Sequence, residues 1–253
     1  MQYNSHATNQ DIVSEINFWC DSDATSYPIA DKTRSVNVAY EELIGKIINA
    51  DGTWQYDDTN YSNLPRGKGT LVEGQEWYSF ASEYLKIEEI HILTTGNLYQ
   101  KIPQIDNEVL GELSWEEYFG RDSSGNALKG FPLYYDILGD SIRLGPTPTS
   151  TQVTLTNGIQ IVFKRTADLF TTTDTTQEPG LPSLYHVLLA YKAALPYCMK
   201  YKKENVSSLL RLIGSDNSRD PYYGGMTLDL IKHYSKRNPD NRPIMTMKRI
   251  NHI

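Results

Sequence analysis

Apolar side chains recur every three or four residues near the start of the chain, which is the spacing of an amphipathic helix. Ile12, Ile16 and Trp19 follow this spacing, and Asn9 is the predicted N-cap of the helix that carries them. A second helix is predicted over residues 33–49, because its apolar positions again form one stripe: Val36, Tyr40, Leu43 and Ile47.

The pattern then changes to short alternating runs separated by Gly, Pro, Asn and Asp, which indicates strands and turns. The segment PLYYDILGDSIRLGP predicts a hairpin around a Gly-Asp turn. In this hairpin Tyr135 and Ile137 share one face and meet Ile142 and Leu144 of the second strand. The segment GIQIVFKRTA is the clearest strand, and together these runs predict a mostly antiparallel β-module.

Helical spacing returns after a turn-rich linker at residues 173–182, where Ser183 is the predicted N-cap of a long helix. A last short helix is predicted to begin near Met226. The predicted fold class is therefore α+β. A helical bundle is interrupted by the β-module and followed by an extended tail, with these boundaries: helices 1–53, β-module 54–172, helices 173–238, tail 239–253.

The C-terminal tail differs from the rest of the chain in charge and in pattern. The whole chain has a formal net charge of −7, yet from Lys232 onward six basic residues oppose the single Asp240. Polar and apolar positions alternate here, which favours a segment that orders against a partner over an ordinary disordered chain end. The residues predicted to bind that partner are Arg242, Ile244, Met245, Met247, Lys248, Arg249 and Ile250.

Composition limits the classes of protein that fit. Charged residues make up 22% and hydrophobic residues 39% of 253 residues, as in soluble globular proteins. The negative net charge argues against a protein whose main task is to grip nucleic acid or an anionic membrane. A polar N-terminus and the lack of an apolar run of about 18 residues predict no signal peptide, no membrane span and a cytosolic place of assembly. Cys20 and Cys198 are predicted to be two buried thiols, with a disulfide between them as the less favoured alternative.

Motifs for catalysis or ligand binding are weak throughout. RGKGT at residues 66–70 lacks the spacing of a phosphate-binding loop and is interpreted as a surface turn. None of the five histidines pairs with another His or Cys at metal-binding spacing, and His186 is predicted to be a packed or capping histidine. Paired carboxylates such as those at 88–89 are typical of solvated faces. The sequence thus predicts no cofactor, no metal and no enzymatic activity.

Four segments in order resemble the head-to-tail connector (adaptor) proteins of tailed bacteriophages. They are VNVAYEELIGKIINADGTWQYDD, LVEGQEWYSF, GFPLYYDILGDSIRLGPTP and PGLPSLYHVLLAYKAALPYCMKYKKEN, and the likeness extends over residues 11–205. The resemblance implies a structural virion protein of the capsid–tail neck, assembled in the bacterial cytoplasm. Such proteins form a ring, commonly of twelve copies, beneath the portal protein. The ring extends the channel through which DNA passes without specific binding, and it meets tail or lower neck proteins.

The resemblance also implies roles for particular residues. The basic tail would reach the portal, and the β-module would lie at the periphery or the lower face of the ring, with Tyr134 and Tyr135 as contacts to neighbours or to tail proteins. Plain packing within a β-sandwich is the alternative for these two tyrosines. Two other functions stay open: a lower neck ring or tail gatekeeper, and a β-sandwich that binds or cleaves glycans.

Overall fold

The computed structural model describes residues 1–5, 10–50, 56–105 and 113–235. The predicted tail and the predicted cap Asn9 lie outside these ranges. The chain divides into two compact units. The helical unit combines Met1–Asn60 with Ala167–Ile253, and the sheet unit is Tyr61–Thr166. The four-part division of the chain made from the sequence stays a prediction.

Helices and antiparallel strands both occur in the described residues, so the chain is α+β. The helices are α1 (Ile12–Cys20), α2 (Ile29–Asn49), α3 (Trp115–Phe119), α4 (Ser150–Val153), α5 (His186–Tyr201), α6 (Lys203–Ile213) and α7 (Gly225–Ser235). The strands are β1 (Arg66–Gly69), β2 (Trp77–Ser79), β3 (Tyr84–Leu93), β4 (Tyr99–Ile102), β5 (Tyr134–Leu138), β6 (Ser141–Gly145) and β7 (Ile159–Arg165). None of the described helices is both long and apolar enough to cross a membrane.

The helical unit is built around α5, which packs against α1, α2 and α6. Its core is a single cluster of buried apolar side chains that includes Ile12, Ile16, Val36, Leu43, Leu188, Leu189 and Leu209. The apolar stripes predicted for the first two helices are thus confirmed as core-facing. Removing such stripes from water is the main force that holds short helices together.

Helix starts differ from the predicted ones. The N-cap of α1 is Asp11, whose carboxylate accepts a hydrogen bond from the Ser14 amide at 2.7 Å, so the prediction of Asn9 is wrong. Helix α2 begins at Ile29, directly after the extended Pro28. The predicted start at residue 33 is too late, because the first turn of the helix precedes the apolar stripe on which the prediction was based. Ser183 opens a 3₁₀ turn and provides no side-chain cap.

Two antiparallel sheets form the sheet unit. Their strand orders are β1-β7-β3-β4 and β2-β6-β5. Tyr135 pairs with Leu144 and Ile137 with Ile142, which confirms the predicted hairpin. Both sheets contribute to one core, whose members include Leu71, Tyr78, Ile90, Tyr135, Ile142, Ile161 and Phe163. The unit is therefore a small sandwich.

The segment interpreted as a surface turn is in fact strand β1. Arg66 pairs with Val162 and Gly69 with Ile159, so β1 forms one edge of the larger sheet. The turn interpretation was wrong because two glycines in four residues hide any alternation, and only pairing with the distant β7 stabilises an extended backbone here.

Candidate assembly surfaces

A short helix covers part of the outer face of the smaller sheet. Ser114 and Glu117 form a reciprocal capping box that starts α3. A Cβ atom at Gly145 would lie 2.6 Å from the Trp115 ring and 2.7 Å from the Phe119 ring. Position 145 on β6 must therefore be glycine for the two aromatic rings to pack so close to the strand.

Arg143 is held between two tryptophans beside this helix. Its guanidinium lies 5.2 Å from the centre of the Trp77 ring and 4.8 Å from that of Trp115. It also donates to Glu76 at 3.0 Å and to Glu116 at 2.5 Å. The hydrogen bond from Arg143 is the main reason that the pKa of Glu116 lies below its usual range. These contacts fix the arginine in place at the surface.

The two predicted interface tyrosines face opposite sides of β5. Tyr135 is 6% exposed and belongs to the sandwich core, as the packing alternative predicted. Tyr134 is half-buried, and its ring centre lies 6.1 Å from that of Phe119 and 6.4 Å from that of Tyr118. A contact between Tyr134 and a neighbouring protein stays a prediction. We call the rings of Trp77, Tyr118, Phe119 and Tyr134 the aromatic patch; the neighbouring Trp115 is buried.

The helical unit has a groove between α2 and α5. Its lining includes Arg34, Val38, Glu42, Lys192, Leu195 and Met199. Val38 is 61% exposed and Met199 is 59% exposed, although both are apolar. Ion pairs flank this strip, from Lys192 to Glu42 at 2.8 Å and from Arg34 to Asp31 at 3.2 Å. Exposed apolar strips with charged rims are typical of protein–protein contacts. We call this feature the helix groove.

A buried carboxylate organises the chain where it leaves and re-enters the helical unit. Asp58 is 2% exposed and accepts hydrogen bonds from the Tyr40 hydroxyl at 2.6 Å and from the amides of Asn60 and Asp168 at 2.9 and 3.0 Å. The Gly180 amide donates to the same Tyr40 hydroxyl at 2.7 Å. The carboxylate thus ties both connecting segments to α2, and we call this network the Asp58 clasp.

His186 is packed, as predicted from the sequence. Its Nε2 lies 2.7 Å from the Leu181 carbonyl oxygen, and burial is the main cause of its lowered pKa. Within the described ranges, no group of three His, Cys, Asp or Glu side chains is placed to hold a metal ion.

The residues predicted to bind a partner through the tail lie outside the described residues. Arg242, Ile244, Met245, Met247, Lys248, Arg249 and Ile250 therefore stay a prediction. Sequence reasoning missed Arg143, Asp58, Val38 and Met199. The sequence S-W-E-E at residues 114–117 carries the capping-box pattern that signals α3, but no local pattern places Arg143 beside it.

Comparison with known proteins identifies one family. The family model described as SU10 adaptor protein matches residues 7–214, which is more than half of the chain. This match confirms the resemblance to phage adaptor proteins. A search of curated proteins found no match.

Proposed function

The chain belongs to the SU10 adaptor protein family, and from this membership we propose that it forms the ring that joins the portal to the tail. A structural adaptor of the phage virion is the function that the family supports. In the proposed form, copies assemble beneath the portal at the capsid vertex and extend the DNA channel, with helical bundles side by side. Tail or lower neck proteins then dock on the ring.

The observation that carries the proposal is the family match, since it covers α1, α2, the whole sheet unit and the helices up to residue 214. The exposed surfaces are compatible with assembly. A cyclic ring requires each copy to offer surfaces to two neighbours, and an apolar strip left exposed in the single chain favours burial by a second copy. We assign the helix groove to a neighbouring copy and the aromatic patch to a neighbour or tail protein.

The basic tail is the proposed portal contact. Its alternating apolar and basic residues, from Arg242 to Ile250, fit an acidic groove lined by apolar pockets. On this proposal the free chain is monomeric, and binding of the tail raises the local concentration of copies until the ring closes.

The test is light scattering after size exclusion, with the chain alone and with the portal ring of the same genome. We expect a monomer alone and a complex near twelve copies per portal ring. A chain ending at Pro239 should lose most portal binding. If that chain bound the portal as well as the full one, the proposed role of the tail would be wrong.

Variants of the helix groove separate ring closure from portal binding. Val38→Asp and Met199→Glu place charges in the apolar strip and should reduce the number of copies per portal while leaving tail-mediated binding. Leu184→Asp is the matched control, because Leu184 is also exposed but is not part of the groove lining. Equal copy numbers for the groove and control variants would refute the assignment of the groove.

A chain that binds no portal but binds a tail protein would instead be a lower neck ring or gatekeeper. The family match is compatible with that position, and the same light-scattering experiment with purified tail proteins would reveal it.

A further inference from the structure

The two cysteines of the chain meet inside the helical unit. Cys20 is the last residue of α1, and Cys198 lies on α5. Their sulfur atoms are 3.9 Å apart and both side chains are fully buried. Both are free thiols in the structure. The two sulfur atoms are thus close to van der Waals contact. Bonding them requires only a change of side-chain rotamer in either cysteine, whereas most distant cysteine pairs need a larger movement.

Each thiol donates to a carbonyl of the opposite helix. Cys20 points at the Ala194 oxygen at 3.7 Å, and Cys198 points at the Trp19 oxygen at 3.4 Å. The Trp19 oxygen also accepts from the Asn205 side chain at 2.7 Å. The Ala194 oxygen lies within α5, where it can accept from the amide four residues later. Loss of both S–H donors would therefore leave no buried carbonyl without a partner.

We propose that Cys20 and Cys198 are a built-in oxidation site, at which a small disulfide converts the two thiols into one intramolecular disulfide that locks α1 onto α5. The site concerns this chain alone and does not depend on the portal as partner.

The reaction balances as two successive exchanges with glutathione disulfide. One cysteine thiolate attacks a glutathione sulfur, which forms a mixed disulfide and releases one glutathione thiolate. The second cysteine thiolate then attacks the protein sulfur of the mixed disulfide and releases the second glutathione. The two protons lost by the cysteines end on the two glutathione molecules, and glutathione disulfide takes the two electrons.

The surroundings make this reaction slow in the closed state. Burial raises the pKa of both thiols, so little of the attacking thiolate is present at neutral pH. The end of α1 is held down by an ion pair between Lys202 and Asp21 at 2.7 Å and by the Trp19 ring against Tyr191. Entry of the oxidant thus requires this end of α1 to open.

The experiment uses the full-length reduced protein, incubated natively with glutathione disulfide. We expect both thiols to disappear together, with an intact mass lower by two hydrogens, no dimer on a non-reducing gel, and a higher urea midpoint after oxidation. Closing a loop between residues so far apart in sequence restricts the unfolded chain, which is the reason for the higher midpoint. Lys202→Gln should speed the loss of thiols severalfold, because it frees the end of α1.

Cys20→Ser and Cys198→Ser are the controls, and each should yield only a glutathione adduct or retain its thiol. The time that the urea-unfolded protein needs to lose its thiols is the reference. The proposal is overturned if the native protein still keeps both thiols after many times that period. It is also overturned if the disulfide forms but the urea midpoint falls, since the bond would then strain the packing of α1 rather than lock it.

Discussion

Replacement of Asp58 by alanine is predicted to destabilise the helical unit strongly. The change removes the acceptor of three hydrogen bonds, from the Tyr40 hydroxyl and the amides of Asn60 and Asp168. The Tyr40 hydroxyl keeps the Gly180 amide as its donor but has no acceptor left among these partners. The backbone around position 58 cannot move in to fill the space left by the smaller alanine side chain, because α2 holds it on one side and the connecting segments hold it on the other.

The magnitude follows from the number and kind of bonds. A hydrogen bond to a charged group contributes about 1.5–3 kcal/mol, and a buried donor left without a partner costs about 1–3 kcal/mol. The Asn60 amide is part-buried and can turn to water, whereas the Tyr40 hydroxyl is buried. We therefore expect a total loss of about 3–5 kcal/mol, a large part of the about 5–15 kcal/mol by which domains are stable.

Urea unfolding followed by circular dichroism at the helical band is the assay. Asp31→Ala is the matched control, since Asp31 lies in the first turn of α2 but is half-exposed and forms a surface ion pair with Arg34. It should cost below about 1 kcal/mol. Tyr40→Phe keeps the ring and should lose part of the same free energy of unfolding. The loss in the double variant with Asp58→Ala should be smaller than the sum of the two single losses. A loss for Asp58→Ala no larger than that of the control would refute the clasp as a stabilising network.

Three further predictions use single positions. Gly145→Ala should cost about 1–3 kcal/mol and shift the tryptophan fluorescence, because the new methyl group meets the Trp115 and Phe119 rings; unchanged fluorescence would contradict the seating of α3. Gly45→Ala in α2 should stabilise by about 0.5–1 kcal/mol, since a Cβ there meets nothing within 4 Å and alanine restricts the unfolded chain; a lower urea midpoint would be the contrary result. The lowered pKa of His186 means that the unfolded chain binds more protons than the folded one below the ordinary value of 6.5. Stability should thus be complete above that pH and fall as the pH drops through it, and urea midpoints of His186→Gln across this range should show a flatter profile.

Local patterns determined a large part of the fold. The stripes of α1 and α2 and the hairpin of β5 and β6 are encoded by neighbours in sequence, since periodicity and turn residues act over a few positions. The family resemblance was recognisable for the same reason, because its segments are local patterns in a set order. The buried state of the two thiols also followed from helical segments with apolar neighbours.

Only the tertiary structure decided the features that join distant residues. Strand β1 exists because β7 pairs with it, and Arg143 is fixed because α3 and β2 bring a tryptophan to each of its sides. The Asp58 clasp and the contact between Cys20 and Cys198 join segments more than a hundred residues apart. Such contacts arise when separate elements bury their apolar faces together, and no local pattern records which side chains will then meet.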